Sequence, residues 1–298
     1  MRRLNNRWLF FILLMAFAGF ANAQDHKVIK EATFPANSGE KLTVQVAGGD
    51  ISVSSWGKSE VEVVIKGNDK AARKMSFEIE KTSDGVKVES ERNGDSFWNF
   101  FNSLSYTVYI KVPEKYDLKL KTSGGDVNIR KVEGESYIST SGGDIAYAGG
   151  KGESKMSTSG GDIDVKEFHG PVSLSTSGGD IKYSGEDSDV NASTSGGDII
   201  ITTTNGKVKG ETSGGDIRLR FSGENKGIYL GTSGGDVIAD LGEDVSGYVD
   251  ATSSGGDIES HNSNFRADKI SSHSMKGSLK DGGETIRLKT SGGDVVIR

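Results

Sequence analysis

A repeated motif from Gly124 onward constrains the fold of this chain more than any other feature of its sequence. Each unit begins Gly-Gly-Asp followed by Ile or Val, and its aspartates are Asp126, Asp144, Asp162, Asp180, Asp198, Asp216, Asp236, Asp257 and Asp294. The first five steps between them are 18 residues each, and the next two are 20 and 21. The last gap, of 37 residues, divides in two if Lys276-Gly277-Ser278-Leu279 is a degenerate copy. A fixed period in this range predicts a solenoid or an array of stacked repeats.

Each repeat contains two short segments in which apolar residues alternate with polar ones. The first segment follows the aspartate, as in Ile163/Val165, and the second precedes the next Gly-Gly, as in Val172/Leu174. Alternation with a period of two predicts a half-buried strand rather than a helix. The glycines that bound these segments suit turns, because glycine reaches positive φ without a steric penalty.

The repeat length then predicts the architecture. Eighteen residues accommodate two strands and two turns but no crossover helix. Successive coils must therefore stack as parallel strands about 4.8 Å apart. The predicted fold is all-β, a parallel β-helix or flattened β-solenoid with coils of 18 residues. The crossover rule favours right-handed winding.

Three segments are predicted along the chain. Residues 1–23 form a signal peptide, residues 24–121 a β-rich N-terminal cap with the first irregular coils, and residues 122–298 a β-solenoid of Thr-Ser-Gly-Gly-Asp-Ile repeats. Within the cap, Gly48-Gly49-Asp50-Ile51 copies the repeat motif far upstream, and a short stretch near Asp69–Lys74 favours a helix. A solenoid needs such a cap because open strand edges invite aggregation.

The first 23 residues have the three parts of a secretory signal. Arg2, Arg3 and Arg7 are followed by the apolar run Trp8–Phe20 and by the cleavage site Ala21-Asn22-Ala23. The apolar run is shorter than the ~20 residues of a membrane span. We therefore expect export, to the periplasm, the cell surface or the medium, without a transmembrane segment after cleavage. An uncleaved anchor is the alternative.

Composition narrows the partners and the chemistry. The chain contains no cysteine, which excludes disulfides, thiolate metal sites and a lipid-bearing cysteine. Removing the signal leaves 33 basic and 42 acidic side chains, a formal net charge of −9. An acidic surface disfavours nucleic acid, whose phosphates it repels.

The order of motifs resembles that of a known family. Ala47-Gly48-Gly49-Asp50-Ile51 with Trp56-Gly57 comes first, and Val108-Tyr109-Ile110-Lys111-Val112-Pro113 leads into Thr122-Ser123-Gly124-Gly125-Asp126-Val127 and its repeats. This arrangement resembles the DUF4097 family of adhesin-like proteins over nearly the whole mature chain. The resemblance implies an exported β-helical protein, and it supplies no catalytic residues.

The aspartate column has two interpretations. Stacked carboxylates about 5 Å apart repel by on the order of 1 kcal/mol per pair in a water-like dielectric, so something must offset their charge. The favoured interpretation is that each side chain caps turn N–H groups while neighbouring Thr and Ser form hydroxyl ladders. The alternative is a column of calcium sites, since Ca²⁺ prefers clustered oxygens. Its candidate ligands are Asp126, Asp144, Asp162, Asp180, Asp198 and Asp216.

Other candidate residues are few. Phe97, Trp98, Phe100 and Phe101 form an aromatic cluster that either folds over the first coil or binds a partner. The histidines have no spacing typical of metal ligands, and they are His26, His169, His261 and His273. The sequence thus predicts no catalytic residue, no metal ligand of this kind and no cofactor.

Two classes of function remain. The first is a non-catalytic structural or adhesin-like module of the cell envelope that binds an unidentified protein or glycan. The second is a polysaccharide-active β-helix enzyme, which needs a cleft and a convergent acid/base pair. Insertions at selected coils would build such a cleft, yet consecutive coils here have equal length. This regularity favours the binding module.

Overall fold

The computed structural model describes residues 26–93 and 104–298, and it confirms the all-β class. The N-terminal part contains the strands β1 (Lys27–Pro35), β2 (Lys41–Val46), β3 (Asp50–Trp56), β4 (Glu60–Gly67), the helix α1 (Asp69–Lys74), and the strands β5 (Met75–Lys81), β6 (Gly85–Arg92) and β7 (Tyr106–Pro113). The predicted helix is thus confirmed. It begins where the Asn68 side chain accepts the N–H of Ala71.

The central part contains the regular coils. Its strands are β8 (Asp117–Thr122), β9 (Val127–Arg130), β10 (Ser136–Ser139), β11 (Ile145–Ala148), β12 (Ser154–Ser157), β13 (Ile163–His169), β14 (Val172–Ser175), β15 (Ile181–Glu186), β16 (Val190–Ser193), β17 (Ile199–Glu211) and β18 (Ile217–Gly231). The C-terminal strands are β19 (Val237–Leu241), β20 (Gly247–Ser253), β21 (Ile258–Ser260), β22 (Phe265–Ser271), β23 (Ser274–Leu279), β24 (Thr285–Thr290) and β25 (Val295–Ile297).

Regular coils pair in parallel, each strand with its counterpart one coil away. The strands that follow Gly-Gly-Asp form what we call the first sheet, in which Ile145 lies opposite Val127 and Ile163. The strands that precede the next Gly-Gly form the second sheet, in which Ile138 lies opposite Leu120 and Met156. The long strands β17 and β18 run through both sheets. The result is a β-solenoid-like stack, for which right-handed winding stays a prediction.

Buried side chains of both sheets form one core along the stack. Alternate residues of each strand point inward, as the period of two predicts, and the isoleucines after each aspartate are fully buried in adjacent coils: Ile145, Ile163, Ile181, Ile199 and Ile217. Aromatic rings fill the wider corner, where Tyr147 and Phe168 meet edge to face with centroids 5.3 Å apart. The core therefore extends from coil to coil without a gap between repeats.

Glycine is required at the two corners for different reasons. At the corner opposite the aspartates, Gly152 has φ of 127°, which other residues rarely adopt. In the Gly-Gly pair the reason is close approach of the backbone rather than positive φ. A Cβ on Gly143 would lie 2.1 Å from the carbonyl oxygen of Gly125 in the preceding coil. Our expectation that positive φ explains both corners is therefore wrong for the Gly-Gly pair.

The N-terminal end of the stack contains a coil out of sequence order. Strand β2 pairs in parallel with β6 and β8, and β3 pairs in parallel with β7 and β9. The upstream Gly48-Gly49-Asp50 motif thus lies directly beside Asp126, whose N–H donates to Asp50 Oδ1 at 3.0 Å. The antiparallel pairs β1–β4, β4–β7 and β5–β6 lie beyond this coil and cover that end.

The C-terminal end contains a second inserted coil. Strand β24 pairs with β18 and β20, and β25 pairs with β19 and β21, all in parallel. Residues 285–297 therefore lie between two coils that precede them in sequence. Strand β23 pairs antiparallel with β20 and β22. The expectation that Lys276-Gly277-Ser278-Leu279 is a degenerate repeat is thus wrong, because these residues belong to a hairpin that packs beyond the final coil.

Candidate functional site

The repeat aspartates form a hydrogen-bonded ladder along one corner of the stack. The N–H of Asp162 donates to Oδ1 of Asp144 at 2.8 Å, and the N–H of Asp180 donates to Oδ1 of Asp162 at 2.8 Å. The same bond, 2.7 to 3.0 Å long, continues in the spatial order Asp50, Asp126, Asp144, Asp162, Asp180, Asp198, Asp216, Asp236, Asp294 and Asp257. Each carboxylate therefore caps a turn N–H, but in the neighbouring coil rather than in its own turn.

This ladder bears on the calcium alternative. Calcium takes six to eight oxygen ligands, whereas each column carboxylate already uses Oδ1 to accept a backbone N–H. Among the described residues, no group of three or more His, Cys, Asp or Glu side chains is arranged to hold a metal ion. Calcium binding by this column stays a prediction, and the carboxylate–amide bonds fit it poorly.

A second ladder of buried hydroxyls runs beside the aspartates. Thr140 Oγ1 donates to the carbonyl of Gly125 at 2.9 Å and accepts the N–H of Gly143 at 3.3 Å. The same pair of bonds is made by Thr122, Thr158, Thr176, Thr194, Thr212, Thr232, Ser253 and Thr290. The predicted hydroxyl ladder is confirmed. The motif Thr-Ser-Gly-Gly-Asp thus fastens coils together, which gives most of its conserved chemistry within this chain a structural role.

The largest concave surface lies at the other end of the first-sheet strands. This side cleft has a volume of about 660 Å³ and is lined by Glu167, His169, Ser184, Gly185, Glu186, Thr202, Thr203, Thr204, Arg220, Phe221, Ser222, Asp240, Leu241, Gly242 and Arg298. Ser184 lies opposite Thr202, which lies opposite Arg220, which lies opposite Asp240. The cleft therefore crosses the strands and runs along the stack for about 20 Å, at 4.8 Å per coil.

Opposite charges are separated along this cleft. Arg298 Nη1 lies 3.9 Å from Asp240 Oδ1, while Arg220 has no ion pair or hydrogen bond with any described residue. Towards the N-terminal coils, the carboxylates of Glu167 and Glu186 are also without a partner among residues 26–93 and 104–298. The cleft thus has a basic end and an acidic end, with uncommitted charged groups at both.

Hydroxyl groups and a closed floor lie between these ends. Thr202 and Thr204 are carried by β17, and Ser222 by β18, so their positions are fixed by the parallel pairing. Phe221 and Leu241 are buried beneath them. Strand-borne hydroxyls above an apolar floor are suited to hydrogen bonding with a polar ligand, as in concave ligand sites generally.

Sequence reasoning missed this cleft and its arginine. The aspartate column that it selected lies at the opposite corner, and among the histidines only His169 lines the cleft. The aromatic residues Phe97, Trp98, Phe100 and Phe101, like the signal sequence 1–23, lie outside the described residues. The available signal was the change of period from 18 to 20 and 21 after Asp216, because that coil carries Arg220 and Ser222.

Comparison with known proteins places the fold. Within the described ranges, no helix is long and apolar enough to cross a membrane. No curated protein matches the sequence. A candidate adhesin from Bacteroides fragilis is 12% identical with a TM-score of 0.38, covering 93% of this chain and 98% of its own. A candidate adhesin from Parabacteroides distasonis is 10% identical with a TM-score of 0.40, covering 92% and 98%. A candidate lipid-binding protein from that species is 12% identical with a TM-score of 0.35, covering 90% and 96%.

The family comparison agrees with the order of motifs. The sequence matches the family described as Toastrack DUF4097 over residues 39–298, a range that includes both inserted coils, both ladders and the side cleft. The resemblance read from the motifs is thereby confirmed. The chain belongs to the Toastrack DUF4097 family.

Proposed function

We propose that this protein is an exported, non-catalytic binding module that recognises a glycan or a protein of the cell envelope through the side cleft. The signal-like residues 1–23 support export. In this proposal residues 24–121 close one end of the stack, and residues 122–298 supply the binding scaffold.

The observation that carries the proposal is the set of uncommitted polar groups in the cleft. Arg220, Glu167 and Glu186 make no ion pair with a described residue, although neighbouring charges such as Asp240 do. A guanidinium offers a planar fork of donors for a carboxylate or a carbonyl. Side-chain hydroxyls donate and accept, so they match both sugar hydroxyls and peptide groups.

The scaffold holds these groups in place before a ligand arrives. Thr202, Thr204 and Ser222 sit on strands that are paired on both sides and are fastened by the threonine and aspartate ladders. Pre-organised groups lose little conformational entropy on binding. A rigid cleft therefore suits recognition, whereas no mobile element is needed to complete it.

The proposal is tested with the mature chain applied to a glycan array and to solubilised envelope proteins. We expect Arg220→Glu to weaken binding of the captured ligand at least tenfold, because it reverses the charge of the basic end. Arg130→Glu is the matched control, since Arg130 is exposed at the equivalent position of a coil outside the cleft. Equal binding by the wild type and Arg220→Glu would overturn the assignment of the cleft.

The enzyme alternative is distinguished by the fate of the ligand. A polysaccharide-active enzyme would release shorter products from a captured glycan, whereas a binding module returns it unchanged. Incubation of each captured glycan with the mature chain, followed by mass spectrometry, separates the two. Cleavage that Arg220→Glu abolishes would replace the binding module by the enzyme.

A further inference from the structure

The outward face of the second sheet carries two similar triplets of side chains. In the first, Tyr137 lies in register between Lys119 and Lys155. In the second, Tyr229 lies in register between Lys209 and Arg287. The two tyrosines are five coils apart on one line, a distance of about 24 Å at 4.8 Å per coil. The same basic–aromatic–basic order thus occurs twice on one face.

The first triplet is exposed and uncommitted. Tyr137 is 46% exposed, and Lys119 and Lys155 have no ion pair with a described residue. In the second triplet the cations have partners that solvent also reaches. Lys209 lies 6.0 Å from the centre of the Tyr229 ring and 2.7 Å from a Glu211 oxygen, and Arg287 lies 3.7 Å from Asp250. Exposed aromatic rings flanked by cations are typical of binding surfaces rather than of a solvated sheet.

A groove lies between the triplets on the same line. It has a volume of about 350 Å³, and its centre is formed by Lys155, Ser173, Asn191 and Lys209, which follow one another in register. Its rim carries Lys207 and the carboxylates of Glu153 and Asp189. Asp189 Oδ1 accepts the N–H of Lys207 at 2.8 Å. The surface is therefore concave where its side chains are shortest, between the two tyrosines.

We propose that this face binds a linear acidic polysaccharide that lies along the stack axis. Sugar rings stack on Tyr137 and Tyr229, and carboxylates of the polymer contact Lys119, Lys155 and Lys209. The groove accepts the sugar hydroxyls, which donate to Asn191 and to the rim carboxylates. This surface is separate from the side cleft, and the inference does not depend on what the cleft binds.

The rim decides between a polysaccharide and a nucleic acid. Single-stranded nucleic acid also stacks on aromatic rings and needs cations. It carries a phosphate at every nucleotide, however, and Glu153 and Asp189 would repel that dense charge. A polymer with hydroxyls on every unit uses the same carboxylates as hydrogen-bond acceptors. Mixed charge with amide and hydroxyl groups therefore favours the acidic polysaccharide.

The test measures binding of the mature chain to polygalacturonate, with dextran and single-stranded DNA of similar length as comparison probes. We expect saturable binding to polygalacturonate that weakens as salt is raised, and at least tenfold weaker binding to the other two probes. The double variant Tyr137→Ala/Tyr229→Ala should lose at least tenfold in affinity for polygalacturonate. Tyr109→Ala is the matched control, since Tyr109 is 44% exposed beside Lys66 on the first-sheet side.

The outcomes separate this surface from the cleft. Arg220→Glu should retain full polygalacturonate binding. If that variant abolishes binding while the double tyrosine variant does not, the polymer occupies the cleft and this inference is overturned, whereas the proposed function stands. Absence of saturable binding, equal affinity for dextran or DNA, or an equal loss in Tyr109→Ala would also overturn it. Because the substituted tyrosines are at the surface, unchanged melting temperatures verify that the variants are folded.

Discussion

At the scale of single residues, each repeat is fastened to the coil before it by two side chains. Thr176 donates to the carbonyl of Gly161, and Asp162 accepts the N–H of Asp180. These bonds satisfy backbone groups that the tight Gly-Gly corner leaves outside the strand ladders. They also place an N–H dipole against every carboxylate, which offsets the repulsion within the column.

A substitution series at Asp162 tests this role. Asp162→Asn should lower the free energy of unfolding only slightly, because the amide oxygen can still accept the N–H of Asp180. Asp162→Ala should cost about 1 kcal/mol or more, because that donor loses its partner. Denaturant unfolding measures both values. A Ca²⁺-dependent rise in melting temperature of about 10 °C, abolished equally by Asn and Ala, would instead establish the calcium alternative.

Buried tyrosines predict a loss of stability at alkaline pH. Burial raises the pKa of Tyr147 to about 12 and that of Tyr183 to about 12. An unfolded tyrosine titrates near 10, so the folded state favours the neutral phenol. The resulting stabilisation is fully present below pH ~10 and is lost as the pH rises from there towards the folded pKa of about 12.

Tyr147→Phe isolates one of these groups. At neutral pH the variant should be about 1 kcal/mol less stable, because Tyr147 donates to the carbonyl of Val132 at 2.8 Å. Between pH 10 and 12 its stability should fall less steeply than that of the wild type. Urea unfolding across this range measures the difference. Parallel pH profiles for the two proteins would contradict the assignment of the phenol.

At the scale of the strand, alternation decides which face is buried. Ile199 is fully buried in the core, whereas its neighbour Ile200 is 40% exposed on the outer face. We expect Ile199→Asp to lower the free energy of unfolding by several kcal/mol, because it buries an unpaired charge. Ile200→Asp should change it by less than about 1 kcal/mol, since Lys182 and Arg218 lie beside it. Equal losses in the two variants would contradict the strand register.

The strands and their register could be predicted because both follow from local periodicity. Ile181 and Ile199 occupy the same position of successive repeats, so parallel stacking leaves them only one pairing. The inserted coils could not be predicted in this way. The motif at Asp50 matches the others, but nothing near it in sequence determines which free sheet edge it joins. The cleft depends on how longer coils turn their corner, and the motif does not encode that geometry.

At the scale of the whole molecule, the two ends of the stack have a common design. A coil from each end is inserted between neighbours, so β3 lies between β7 and β9, and β25 lies between β19 and β21. An inserted coil is held on both sides, which protects strands that would otherwise end the stack with free edges. Antiparallel strands then lie beyond each inserted coil.

Removal of the C-terminal insert tests this design. A chain that stops at Glu284 loses the buried residues Ile286, Leu288, Val295 and Ile297 and the partners of β18, β19, β20 and β21. Because stacked repeats interact mainly with their neighbours, the damage should be local. Hydrogen exchange should accelerate strongly in residues 228–260 and little in residues 118–175. Unchanged exchange in the nearer coils would show that the insert is not structural.

The central functional claim is that the rigid side cleft binds an envelope ligand without transforming it. Its most direct test is hydrogen exchange of the mature chain with and without the captured ligand, followed by mass spectrometry of the ligand after prolonged incubation. The account predicts protection of residues 184–186, 202–204 and 220–222, and recovery of an intact ligand. Protection confined to other surfaces, or recovery of a cleaved ligand, would contradict it.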